Sequence, residues 1–115
     1  MIDKKTVAQL QQKLAIEKET VRSRLEETLM SLTGQDVTNV PTAYLIKLCR
    51  HETAPSIHAD GVRLEKIDAA LCAILTGLFG LCADCEEDIE LDDILFDPTE
   101  SRCRSCRTHS RYHHA

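Results

Sequence analysis

Two Cys-x-x-Cys pairs near the C-terminus constrain this chain more than anything else in it. Cys82 and Cys85 stand in Gly80-Leu81-Cys82-Ala83-Asp84-Cys85, Cys103 and Cys106 stand in Arg102-Cys103-Arg104-Ser105-Cys106, and 17 residues lie between the pairs. Each pair forms a short knuckle whose two sulfurs face one ion, and the loop lets the second knuckle fold back on the first. Four thiolates complete the closed tetrahedral set that structural zinc prefers, and the spacing falls within the Cys-x2-Cys-x(15–20)-Cys-x2-Cys pattern of such sites. A catalytic zinc needs an open position, which four cysteines do not leave. The sequence thus predicts one structural Zn2+ on Cys82, Cys85, Cys103 and Cys106, with an iron–sulfur cluster, redox dithiols or disulfides as the alternatives.

A chain of 115 residues has room for one compact domain, or for one helical unit plus a small metal-held module. Aromatic residues make up 3% and there is no Trp, so the core must come from Leu, Ile, Val and Ala. That suits helices packed on helices better than a β-sandwich. Between the knuckles the sizeable apolar residues are Ile89, Leu91, Ile94, Leu95 and Phe96. Burying five such side chains at about 1.5–3 kcal/mol each is largely offset by the entropy of ordering the loop, so the metal decides whether the module folds.

The formal net charge is −5, which is not the electrostatic footprint of a duplex binder. Nine acids lie between Asp84 and Glu100 with no Lys or Arg among them, and Arg102, Arg104, Arg107 and Arg111 follow. These runs read either as solvated surface around a metal loop or as a charged docking face for a protein partner. The arginines also permit a nucleic-acid-binding module as an alternative, through salt-sensitive phosphate contacts. The N-terminus shows neither a secretory leader nor a continuous apolar stretch, so a cytoplasmic protein without membrane spans is expected. In that reducing compartment thiolate–metal bonds explain six cysteines better than disulfides do.

From Asp3 to Leu32 there is no Pro or Gly, and Val7, Leu10, Leu14, Val21, Leu25, Leu29 and Leu32 recur at helical spacing. Asp3 or Thr6 can cap the start, and Gly34 is placed to cap the end. Thirty residues of helix extend about 45 Å, and so narrow an apolar stripe requires a partner helix. A second helical segment begins with Pro41 in its first turn and runs through Tyr44, Leu45, Leu48 and Cys49, until Pro55 breaks it near Thr53-Ala54. Helix resumes around Ser56 with Val62, Leu64, Ile67, Leu71, Ile74, Leu75 and Leu78, at a cost of about 1 kcal/mol for Gly61 relative to Ala.

The expected fold is therefore all-α dominated: an antiparallel, coiled-coil-like helical hairpin over 1–78, with a turn near 33–42 and a break near Pro55. A small four-cysteine zinc-finger module follows over 79–108, and then a flexible tail over 109–115. Cys49 and Cys72 read as small, partly buried helix residues, and His51, His58, His109, His113 and His114 as surface residues. No nucleophile–base set, phosphate loop or dinucleotide fingerprint is present, so an enzyme is not expected.

One stretch carries a resemblance. Ile67-Asp68-Ala69-Ala70-Leu71, then Gly77-Leu78-Phe79-Gly80-Leu81-Cys82-Ala83-Asp84-Cys85, Glu87, Ile89, Pro98-Thr99 and Cys103-Arg104-Ser105-Cys106 resemble the DksA/TraR family. The specific part covers about forty residues, from Leu64 to Cys106. The resemblance implies a bacterial transcription regulator that binds RNA polymerase directly rather than DNA. Its hairpin would enter the secondary channel with an acidic tip, in some members together with the alarmone ppGpp. The family's tip position, paired aspartates followed by Ala, falls here on Thr42-Ala43-Tyr44. Asp36, the only acid between Glu27 and Glu52, is then the available tip carboxylate. Asp36, Arg102 and Arg104 are the expected partner-binding residues, a monomer the expected state, and an adaptor without regulatory activity a further alternative.

Overall fold

The computed structural model describes residues 2–113, with side chains as far as Thr108. It contains five helices among the described residues and no strand: α1 (Lys4–Thr33), α2 (Thr42–Arg50), α3 (Pro55–Thr76), α4 (Leu91–Phe96) and α5 (Arg104–His113). The expected tail of 109–115 lies, apart from the helical backbone to His113, outside the described residues. No described helix is long and apolar enough to cross a membrane.

Local chemistry sets the helix ends. Asp3 Oδ1 accepts the Thr6 N–H at 2.7 Å, which satisfies one of the donors that the first turn of α1 leaves unpaired. Gly34, at φ +75°, closes the other end by donating its N–H to the Met30 carbonyl, as a C-terminal glycine does. Pro55 occupies the first position of α3, where its missing N–H costs nothing.

The chain divides into two compact units, one of residues 15–68 and one of residues 1–14 with 69–115. In the unit 15–68, α1 and the first turns of α3 run antiparallel. Ion pairs Glu17–Arg63, Lys18–Asp68 and Arg24–Asp60 stitch them, with closest N–O approaches of 2.5, 3.5 and 2.7 Å. The stripe supplies Val21, Leu25 and Leu29 to the buried core, facing Ile57, Leu64 and Ile67. The apolar patterns also overreach: Leu32 of α1 (61% exposed) and Val62 of α3 are exposed, as are Leu75 and Leu78 in the other unit. Periodicity fixes a face of a helix but not how far along that face a partner extends.

α2 makes the unit 15–68 a three-helix packing rather than a bare hairpin. It buries Leu45, Ile46 and Cys49. A Cβ on Gly61 would lie 2.4 Å from Cys49 Cβ, so α2 reaches α3 only because Gly61 has no side chain. The glycine that costs helix propensity in α3 thus permits a close helix crossing. Arg22 of α1 holds the lead-in to α2, donating to the carbonyls of Val37 (3.2 Å), Thr38 and Val40 and to Thr42 Oγ1 (3.1 Å).

Candidate metal centre

The unit containing the cysteines closes on a small core of Leu10, Cys82, Ile89, Ile94 and Cys103, with Ile2, Phe79 and Cys106 packed against it. Residues from the start of α1 therefore belong to the same core as the knuckles. Gly80, at φ +88°, lets the backbone turn between Phe79 and the first knuckle, and a Cβ there would lie 3.1 Å from Ile2 Cδ1. Of the five apolar residues between the knuckles only Ile89 and Ile94 are buried, while Leu91, Leu95 and Phe96 are exposed. The apolar term is smaller than burial of all five implies, which would leave more of the folding to a bound metal.

Backbone hydrogen bonds shape the first knuckle. The Glu86 N–H donates to the Cys82 carbonyl at 2.9 Å, the Cys82 N–H to the Glu87 carbonyl at 2.7 Å, and the Ile89 N–H to the Gly80 carbonyl at 2.8 Å. Glu86 sits at φ +65°, the left-handed turn that carries the chain away from the sulfurs. The Ala83 N–H donates to the Ser101 carbonyl at 2.8 Å and brings the second knuckle alongside.

All four expected ligands meet. The sulfurs of Cys82, Cys85, Cys103 and Cys106 lie within 4.8 Å of one another, and Cys85 Sγ is 3.7 Å from Cys103 Sγ. A tetrahedral ion with metal–sulfur bonds of about 2.3 Å requires sulfurs about 3.8 Å apart, so the cluster fits one such ion. Cys82 and Cys103 are buried, Cys106 is partly buried and Cys85 is exposed.

The electrostatics point the same way. Burial opposes ionisation of Cys82, yet the backbone N–H groups of Cys103, Cys85 and Asp84 and the Cys85 thiol draw its pKa down to about 6. The Glu87 N–H favours a Cys85 thiolate, but burial and the Cys82 and Cys103 sulfurs outweigh it and push that thiol up. The Cys85 and Cys103 sulfurs push Cys106 far above its ordinary value. One thiolate forms readily here, and a second beside it requires a compensating cation. A divalent metal would supply that charge.

The arginines of the module are largely engaged within it. Arg104 pairs with Asp93 at 3.0 Å, and Arg107 with Asp93 at 2.5 Å and Glu100 at 2.6 Å. Arg102 approaches Asp84 loosely at 3.8 Å. Glu90 Oε1 accepts the Arg104 N–H at 3.0 Å and so caps α5. The side chain of Arg111, like those of His109 and His113 and all of His114, lies outside the described residues. Asp36 is exposed, its Oδ1 accepting from the Thr38 N–H (3.1 Å) and hydroxyl (2.8 Å); this pair of bonds, backbone first, lowers its pKa.

Cys49 is buried against Gly61, whereas Cys72 is exposed rather than partly buried; neither approaches the metal cluster closely enough to join it. His51 and His58 are exposed. The sequence reading missed the contribution of Ile2 and Leu10 to the core around the cysteines. The only available signal was a pair of apolar residues at the start of a helix whose stripe was already explained.

No family model matches the sequence, and no curated protein matches it. Among solved structures the chain is similar to transcription factor DksA2 from Pseudomonas aeruginosa, with a TM-score of 0.65 over 97% of this chain and 89% of that one, at 20% sequence identity. The likeness extends well beyond the forty residues that carry the sequence resemblance. With its all-α hairpin and C-terminal four-cysteine cluster, the chain has the DksA fold.

Proposed function

We propose that this chain is a non-enzymatic transcription regulator that binds RNA polymerase directly, its helical hairpin (1–78) entering the secondary channel. Cys82, Cys85, Cys103 and Cys106 would hold one structural Zn2+ that fixes the module of 79–108. The ion supplies charge compensation and cross-linking and no chemistry. The supporting observation is a DksA-like fold over 97% of the chain joined to a complete four-cysteine cluster. The protein acts as a monomer in the bacterial cytoplasm. Asp36 serves as the tip carboxylate, and Arg102 and Arg104 contact the partner at the module.

Retention of core RNA polymerase by the tagged protein at low salt, with zinc measured on the same sample, tests this reading. Roughly one zinc per chain and stoichiometric polymerase are expected, both lost on Cys82→Ser or Cys103→Ser. Failure of the zinc-loaded wild type to retain polymerase would remove the reading. Promoter assays with and without ppGpp follow, because the resemblance brings that nucleotide with it.

A specific observation favours the adaptor as the second reading. The one acid between Glu27 and Glu52 spends one carboxylate oxygen on Thr38. If Asp36→Ala leaves promoter effects unchanged while polymerase binding persists, the chain occupies its partner without regulating it. The nucleic-acid reading is weakened by the pairing of Arg104 and Arg107 with Asp93 and Glu100.

A further inference from the structure

α4 has little apolar reason to exist. Its one buried residue is Ile94, while Leu91, Leu95 and Phe96 are exposed. What it contributes instead is carboxylates. Glu90 at its N-cap and Asp93 in its first turn both reach the second knuckle.

Cys103 stands between two carboxylate contacts to the backbone. On its C-terminal side Glu90 Oε1 accepts the Arg104 N–H at 3.0 Å. On its N-terminal side Glu100 Oε2 accepts the N–H groups of Ser101 at 3.1 Å and Arg102 at 3.2 Å. Glu100 Oε1 takes the Arg107 guanidinium at 2.6 Å, and Asp93 holds Arg107 at 2.5 Å and Arg104 at 3.0 Å. The Arg107 N–H in turn donates to the Cys103 carbonyl at 3.0 Å, and Cys103 Sγ accepts the Cys106 N–H at 3.5 Å. The first knuckle is held differently, by the backbone-to-backbone bonds of Cys82, Glu86 and Ile89.

Side chains thus fix the peptide groups before and after one buried ligand. A ligand aimed in advance loses less freedom when an ion binds, and groups that orient ligands in this way govern metal affinity. The carboxylates bring negative charge toward the sulfurs, and Arg104 and Arg107 offset it.

We propose that Glu90 and Glu100 are positioning residues of the metal centre, bracketing Cys103 so that its sulfur faces the other three before the ion arrives. The inference rests on the zinc reading above and deepens it. α4 serves this bracket: burial of Ile94 seats the helix, and the helix presents Glu90 and Asp93 to α5.

The test uses the full chain. Glu90→Ala and Glu100→Ala should each weaken zinc about 10- to 100-fold in competition with a chromophoric chelator. Glu90→Gln keeps an acceptor oxygen for the Arg104 N–H and should restore most of the affinity. Glu100→Gln should restore part of it, because one amide oxygen cannot serve both the peptide N–H groups and Arg107. Asp92→Asn removes a charge felt by Arg104 but leaves both brackets, and should bind zinc as the wild type does. Destabilising the module would by itself weaken zinc, so geometry is read separately. With saturating Co2+ in place of zinc, the ligand-field bands of the alanine variants should shift and lose intensity relative to the wild type.

Wild-type affinity in both alanine variants would overturn the proposal. So would weaker zinc binding with a cobalt spectrum superimposable on the wild type's, since the carboxylates would then stabilise the module without aiming Cys103. An unrescued Glu90→Gln, or a loss on Asp92→Asn as large as that on Glu90→Ala, would replace hydrogen bonding by charge and overturn it too. Failure of the wild type to take up either metal would remove the zinc reading as well, whereas every other outcome leaves that reading standing.

Discussion

The unit of residues 15–68 and the unit that carries the four-cysteine cluster close their cores by different means. The first has an aliphatic core of interlocking helix faces, Leu25 and Leu29 with Leu45, Ile57 and Leu64, all essentially inaccessible, and crosses it with side-chain ion pairs. Around the knuckles of the second, two of the five buried residues that pack together are cysteines of the candidate metal cluster. Its remaining apolar members are too few to outweigh the ordering of a long loop. Helix packing can stabilise the unit 15–68 by itself, while the other unit has a cluster fit for an ion that would supply its cohesion.

Metal removal gives the largest expected effect. Chelation, or Cys82→Ser, withdraws an apparent binding energy on the order of 10–16 kcal/mol, comparable to the whole stability of a small domain. Amide exchange from Cys82 to Cys106 should rise to nearly unprotected rates while amides of α1 between Ala15 and Leu29 stay protected. Loss of protection in both segments at once would show that the ion holds the whole chain together and would erase the contrast.

The converse break follows. Leu25→Ala or Leu64→Ala, each at a fully buried position, should cost about 2–5 kcal/mol in urea unfolding and leave the zinc content at one per chain. A variant that unfolds the helices and also releases metal under native conditions would show that the units are not independent.

These two regions were not equally readable from sequence. The cysteines announced their site because coordination chemistry demands particular residues at particular spacings, and the four sulfurs meet as expected. The stripe of α1 was readable because burial has a period. Its end was not: Leu32 has the right spacing but is 61% exposed, and on α3 Val62 likewise stays exposed. Packing of α2 on α3 depends on the absence of a side chain at Gly61, and a missing group leaves no positive mark in a sequence. Arg22 gathers three loop carbonyls, a role set by where the chain returns and not by its neighbours in sequence.

Gly61→Ala gives a smaller and more pointed effect. Alanine improves helix propensity by about 1 kcal/mol, but its Cβ collides with Cys49, and overpacking of this kind costs about 1–3 kcal/mol. A net destabilisation of about 1–2 kcal/mol in urea unfolding is expected, reduced when Cys49→Gly is combined with it. A stabilised Gly61→Ala protein would mean that α2 is not seated as described, and the unit 15–68 would revert to a bare hairpin.

The smallest effect concerns the ion pairs that tie α4 to α5 in the metal-bearing unit. Hydrogen bonds from Arg104 and Arg107, with their charges behind them, hold the Asp93 carboxyl below its ordinary 3.8. A folded-state pKa below the unfolded one stabilises the fold above the unfolded value and loses that contribution as pH falls through the folded one. Asp93 should therefore stay ionised at every pH at which thiolates still hold a metal, since sulfur ligands take up protons and release the ion first. Asp93→Asn should lower the urea midpoint slightly, as exposed pairs do, by an amount constant from pH 8 down to the onset of zinc release. A gap between variant and wild type that closes while zinc is still bound would show Asp93 titrating early. The acid limit of the metal-bearing unit would then belong to its surface carboxylates, and its dependence on the ion alone would no longer distinguish it from the helical unit.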